Sequence, residues 1–246
     1  MHWHYLQDLI DRGRFRAVTV GSGFESIIKE RAMPTTATVT ASAAEDVVVL
    51  HDISWETYCR LNDENFSPAI RMSFFEGELE IMTLSARHEN WERKIEILVH
   101  TLVEAMGLDC ECFGSVTMRR KDLRAGLEPD ACFYFGPMAA AMRGRDVLDL
   151  HTDPAPDLVV EIDVSRLSLP KFPLYAALGI GEIWRAYQDE MVLYQLVDGE
   201  YRVIPASKLL PGITGVRLAQ LLADGRALPV KEWLSRVRAA AAESKT

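Results

Sequence analysis

Pro156–Tyr187, PDLVVEIDVSRLSLPKFPLYAALGIGEIWRAY, decides how the rest of the chain is read. Leu158, Val159, Val160, Ile162 and Val164 form an apolar run of the length of a strand buried on both faces. Glu161 and Asp163 interrupt that run two residues apart, so on a strand both point to one face. Carboxylates in such a setting need a partner or a metal. Ser165 or Ser168 can cap a following helix, and Pro170 suits its first turn. Lys171 then falls where the helix dipole disfavours a cation, which makes the two upstream acids its natural counter-charges. Gly179 ends the helix in the left-handed conformation, and Glu182–Tyr187 resumes as a strand.

Outward from this unit, Leu127–Phe135 is a second apolar segment with an acid inside it, Asp130. Trp91, Ile95, Leu98, Leu102 and Met106 recur at helical spacing over His88–Met106, and Gly107 stops that helix. Arg71–Phe75 and Glu78–Met82 read as a hairpin around Glu76-Gly77, preceded by a short helix through Trp55, Tyr58 and Leu61 that Asp52 or Ser54 can cap. Asp109–Val116 alternates like a strand, and Arg119, Arg120, Lys121 and Arg124 follow as a basic turn. Beyond Tyr187 come two more strands with tight turns, a short helix near Val216–Ala223 and a terminal helix over Pro229–Ala242.

Residues 1–45 differ from this pattern. MPTTATVTASAAED, from Met33, is small and polar without apolar periodicity and reads as a flexible leader, and Met33 is a candidate alternative start. Leu6, Leu9 and Ile10 fit a short amphipathic helix, while GSGFES at Gly21–Ser26 lacks the Gly-Lys-Ser/Thr ending of a phosphate loop. The expected organisation is a leader over 1–45, a catalytic-type domain over 46–215 and a helical extension over 216–246.

A chain of 246 residues that is 48% hydrophobic and 26% charged can bury a core, and none of its apolar runs reaches the length of a membrane span. Without a signal-peptide pattern the expected location is cytoplasmic. Cys110 and Cys112 have no second pair at zinc spacing, so Cys59, Cys110, Cys112 and Cys132 read as reduced thiols. The net charge of −9 argues against strong nonspecific binding to nucleic acid.

Asp130 and Glu161 come from separate predicted strands. As antiparallel neighbours they would present two converging carboxylates, a hard-oxygen site suited to Mg²⁺ or Mn²⁺. Taken singly, Asp130 reads as a strand-end acid, Lys171 as a surface lysine and His88 as a capping or packing residue; their convergence is what points to chemistry.

Four pieces resemble the bacterial Uma family, described as putative restriction endonucleases, within the PD-(D/E)xK nuclease superfamily. They are GELEIMTLSARHE (Gly77–Glu89), GLEPDACFYF (Gly126–Phe135), PDLVVEIDVSRLSLPK (Pro156–Lys171) and YAALGIGEIWRAY (Tyr175–Tyr187). The resemblance implies an α/β fold with a central mixed β-sheet flanked by helices, and metal-dependent hydrolysis of DNA. It implies Asp130 and Glu161 as metal ligands and catalytic residues, Lys171 as the catalytic lysine, and supporting roles for Glu80 and His88. Asp163 is a further candidate ligand, and Arg119, Arg120 and Lys121 are candidate phosphate contacts. DNA and a second copy of the chain are the expected partners. The sequence departs from the pattern in two places: Asp163 holds the lysine's usual position two after Glu161, and Pro170 precedes Lys171. A noncatalytic protein that keeps the fold and binds nucleic acid or protein remains the alternative.

Overall fold

The computed structural model describes residues 16–19, 36–41, 46–65, 67, 69–163 and 171–244. The cap candidates Ser165 and Ser168, Pro170, Leu6–Ile10, Gly21–Ser26 and Met33 lie outside these residues. The chain divides into two compact units. The first includes the chain up to Ser85 and Arg119–Leu127; the second includes Ala86–Met118, Glu128–Val164 and Lys171–Thr246.

The first unit is built on a seven-stranded sheet of order β1-β2-β3-β5-β4-β8-β7. Its strands are β1 (Arg16–Thr19), β2 (Thr36–Ala41), β3 (Asp46–Leu50), β4 (Ile70–Phe75), β5 (Glu78–Thr83), β7 (Met118–Arg120) and β8 (Ala125–Leu127). Two of them, β1 and β2, fall within the stretch that composition reads as a leader, and they pair in parallel. Helix α1 (Trp55–Asp63) starts at Ser54, whose hydroxyl accepts the Thr57 N–H at 3.1 Å. Its Trp55, Tyr58 and Leu61 recur at helical spacing and are buried with Met72, Phe74 and Leu79, and the Tyr58 and Phe74 rings stack 5.2 Å apart.

The second unit carries a six-stranded mixed sheet of order β13-β12-β11-β10-β9-β6. Its strands are β6 (Cys110–Gly114), β9 (Ala131–Phe135), β10 (Leu158–Asp163), β11 (Glu182–Tyr187), β12 (Glu190–Val197) and β13 (Glu200–Ile204). Only β10 and β11 run parallel; the other pairings are antiparallel. A parallel pair needs a crossover, and here it is helix α4 (Lys171–Leu178). Gly179, at φ 79°, closes that helix as expected: its N–H reaches Ala176 O and the Ile180 N–H reaches Tyr175 O at 3.1 Å.

Strand register assigns the faces of this sheet. Leu158, Val160 and Ile162 share one face with Trp184, Ala186, Leu193 and Phe133. That face is the core, covered by α2 (Ala86–Met106), α5 (Gly215–Ala227) and α6 (Val230–Glu243) through Ile95, Leu98, Leu102, Leu218, Leu221, Trp233 and Val237. Hence the C-terminal helices are a layer of the second unit. Glu161, Asp163 and Arg185 share the opposite face, which carries α4 through Phe172 against Tyr194 and Tyr201. The short α3 (Gly136–Met142) follows β9. All four cysteines are free thiols. No helix among the described residues is long and apolar enough to cross a membrane.

Candidate active site

Leu127–Phe135, which reads as one apolar segment, is two strands in two different sheets. Asp130 sits at the point where the chain enters β9, 2% exposed. A carboxylate so buried must have partners. One oxygen, Oδ2, accepts the backbone N–H of Ile162 on β10 at 2.6 Å; the other, Oδ1, lies 2.8 Å from His88 Nε2 on α2. Burial alone pushes the Asp130 carboxyl up, but His88, the Lys171 charge and the Ile162 N–H together hold it below the ordinary carboxylate range.

Glu161 lies next in register on β10. The antiparallel pairs Leu158–Phe133, Val159–Cys132 and Val160–Ala131 bring it to the level of Asp130. It is 6% exposed. Lys171, first residue of α4, donates from Nζ to Glu161 Oε2 at 2.9 Å, and the Tyr175 hydroxyl donates to Oε1. Lys171 and Tyr175 are four apart, one helical turn on the same face. Burial pushes Glu161 up to about 7; the Lys171 charge opposes this and the Asp130 charge adds to it. Burial and the Glu161 charge push the Tyr175 phenol well above its ordinary value, so it remains a hydrogen donor.

Helix α2 adds a residue that sequence reasoning missed. Glu92 is four after His88 and buried with it, and His88, Glu92 and Asp130 each offer one ligand atom within 4.8 Å of the other two. That donor set of one imidazole and two carboxylates fits a divalent cation, with nitrogen favouring Mn²⁺ over Mg²⁺. The i, i+4 spacing of two polar groups in an otherwise apolar helix face was the available signal. Tyr175 was missed too, because its position four after Lys171 has meaning only once Lys171 is known to reach Glu161.

The other candidates are placed elsewhere. Asp163 accepts from Arg185 Nε on β11 and is outside the His88–Glu92–Asp130 group. Glu80 is buried on β5 of the first unit. In the basic turn, Arg119 is engaged by Asn62 and by Asp63 at 2.7 Å, Arg120 by Asp122 at 2.7 Å, and Lys121 is exposed. Glu182 shows what a structural buried acid looks like here: Trp184 Nε1 and the Lys208 N–H occupy its two oxygens.

The profile of the family Uma2, described as "Putative restriction endonuclease", matches residues 55–231. No curated protein matches the chain. Among solved structures the chain is similar to "a putative nuclease belonging to DUF820 from Anabaena variabilis ATCC 29413", with 15% identity over 75% of this chain and 99% of that one and a TM-score of 0.45.

Proposed function

Since the chain belongs to the Uma2 family, whose description is putative restriction endonuclease, we propose that it is a metal-dependent endonuclease hydrolysing DNA phosphodiester bonds in the cytoplasm. The observation that carries this reading is the pairing of two buried carboxylates with separate partners: Asp130 with His88, and Glu161 with Lys171 and Tyr175.

Asp130 and Glu161 would hold the cation, with His88 and Glu92 completing the donor set around Asp130. A divalent ion there would polarise a phosphoryl oxygen and acidify a water. The protein's own groups supply the rest. Lys171 brings a cation to a phosphate whose charge rises during displacement, and being helix-borne and only 11% exposed it needs little reorganisation to do so. Burial raises the free Glu161 carboxyl to about 7, so holding a cation would release a proton from it at neutral pH. Tyr175 fixes the Glu161 carboxylate from the side opposite the lysine's oxygen.

Plasmid DNA incubated with the purified protein and Mg²⁺ or Mn²⁺ tests this. Nicking or linearisation should occur, stop on chelation, and be lost in Asp130→Asn and Glu161→Gln. The net charge of −9 and the engaged Arg119 and Arg120 favour the second reading, a noncatalytic nucleic-acid- or protein-binding module. DNA binding without cleavage under any divalent metal would select it.

A further inference from the structure

An acidic chain that acts on DNA needs cations concentrated where the phosphates run. In the basic turn of the first unit Arg119 is held twice, by Asn62 and by Asp63, and Arg120 is held by both oxygens of Asp122. Two other arginines are better placed. Arg226, in the last turn of α5, stacks its guanidinium 4.6 Å from the centroid of the Trp91 ring. Arg87, on α2, lies 5.9 Å from the same centroid. Stacking on an indole orients a guanidinium while leaving its N–H edges available for an anion.

Their position relative to the acids follows from helix and sheet geometry. Arg87 and Trp91 form one i, i+4 stripe on α2, and His88 and Glu92 form the adjacent stripe. Arg226 also pairs at 2.6 Å with Asp189, in the turn that follows β11. Since β11 runs parallel to β10, with Tyr187 opposite Asp163, that turn lies at the same end of the sheet as Glu161 and Asp163. Both arginines therefore lie toward the end of the sheet that carries Asp130, on the side covered by α2 and α5, while Glu161 and Asp163 point to the other face.

A purely structural account explains less. Lys94 and the shared apolar core already tie α2 to α5: Lys94 donates to Gly225 O at 2.6 Å and lies 5.2 Å over Trp233 on α6. Asp189 is 79% exposed, so its pair with Arg226 contributes little stability and is readily exchanged. Arg87 is exposed and has no ion pair among the described residues.

We infer that Arg87 and Arg226, held on Trp91, form a seat for a backbone phosphate of the nucleic-acid substrate, one flanking the phosphate that is cleaved. This rests on the nuclease reading for the identity of the ligand, while the seat itself is defined by the three side chains. It contributes positioning and affinity without reading sequence.

The test is a fluorescence-anisotropy titration of the intact protein with a fluorescein-labelled DNA duplex in Ca²⁺, at several KCl concentrations. It compares wild type, Arg87→Ala, Arg226→Ala, the double variant and Asp189→Asn. Each arginine loss should lower the slope of log affinity against log salt by about 0.9, and the double variant should bind on the order of tenfold more weakly. Asp189→Asn, which frees Arg226, should bind as well as wild type or better. In Mg²⁺ or Mn²⁺ the arginine variants should raise KM and largely keep kcat, a split that misfolding would not produce. Arg87→Ala, at an exposed position, keeps the test valid should Arg226→Ala unfold. Unchanged affinity and slope in Arg87→Ala and Arg226→Ala of a protein that cleaves would overturn the seat and leave the nuclease standing. Arginine-dependent binding without cleavage would support the seat and sink the catalytic reading. A wild type that neither binds nor cleaves would overturn both.

Discussion

Lys171 Nζ donates to Glu161 Oε2 at 2.9 Å from the first turn of the helix that follows Glu161's own strand. The lysine is absent from the position two after Glu161, yet its ammonium reaches the carboxylate from the crossover. The helix dipole opposes a cation there, and the buried acid offsets it. If this ammonium meets the substrate phosphate, Lys171→Ala should lower single-turnover cleavage by about 10²–10³, as loss of one preorganised group does. Lys171→Arg should rescue only in part, because the guanidinium is larger and keeps its proton. Wild-type rates in Lys171→Ala would reduce the lysine to a counter-ion for Glu161.

His88 makes the metal preference testable. With an imidazole beside two carboxylates, the protein should bind Mn²⁺ more tightly than Mg²⁺ in calorimetry. His88→Gln should reduce Mn²⁺ affinity on the order of 10–100-fold and narrow that preference. Glu92→Gln should weaken both ions, and Asp130→Asn should abolish both. Equal Mn²⁺ affinity in wild type and His88→Gln would leave His88 as a hydrogen-bond partner of Asp130 alone.

Glu161 also sets a pH dependence of stability in metal-free protein. Its carboxyl rises from 4.5 to about 7 on folding. Between those values the folded state holds a proton that the unfolded chain has lost, so stability falls as pH rises through about 5 to 7. Asp130 acts in the opposite sense: lowered below 3.8, it contributes stability at all higher pH and loses it only in strong acid. Melting curves in chelator at a series of pH values should show the decline, and Glu161→Gln should flatten it. A Glu161→Gln protein with the wild-type slope would assign the decline to another group.

Gly215, first residue of α5, is a steric requirement. An added Cβ would overlap the backbone oxygen of Met191 on β12. Gly→Ala inside a helix ordinarily stabilises by about 1 kcal/mol, but overpacking against backbone costs about 1–3 kcal/mol, and the second effect should win. Gly215→Ala should melt lower by on the order of 5 °C. A higher melting temperature would mean that β12 and α5 separate easily.

What the sequence made visible depended on the range of the interaction. The β10–α4–β11 unit could be read from one continuous stretch, because an apolar run, an N-terminal lysine and a stop glycine are all local. Helix α2 was legible for the same reason, through Trp91, Ile95, Leu98 and Leu102. The mixed sheet flanked by helices followed from these elements and from the family likeness. The division into two sheets was not legible: β7 and β8 lie between β6 and β9 in sequence but belong to the other sheet, where β8 pairs with β4 and β7 lies beyond β8. Strand partners far apart in the chain leave no local mark. In the site, Asp130, Glu161 and Lys171 stood out as charges in the wrong setting. Tyr175 and Glu92 did not, since a tyrosine in an apolar helix and a glutamate in an amphipathic one look ordinary until their partners are placed.

The hydrogen bond from Ile162 N–H to Asp130 Oδ2 has a consequence for coordination. Turning that oxygen away would strand a buried amide of β10 without an acceptor, at a cost of about 1–3 kcal/mol. Asp130 would therefore hold a cation through Oδ1, the oxygen on the His88 side, while Oδ2 stays with the backbone of β10. One carboxylate would then serve the strand and the ion at once, so a substitution such as Asp130→Asn disturbs β10 as well as the site.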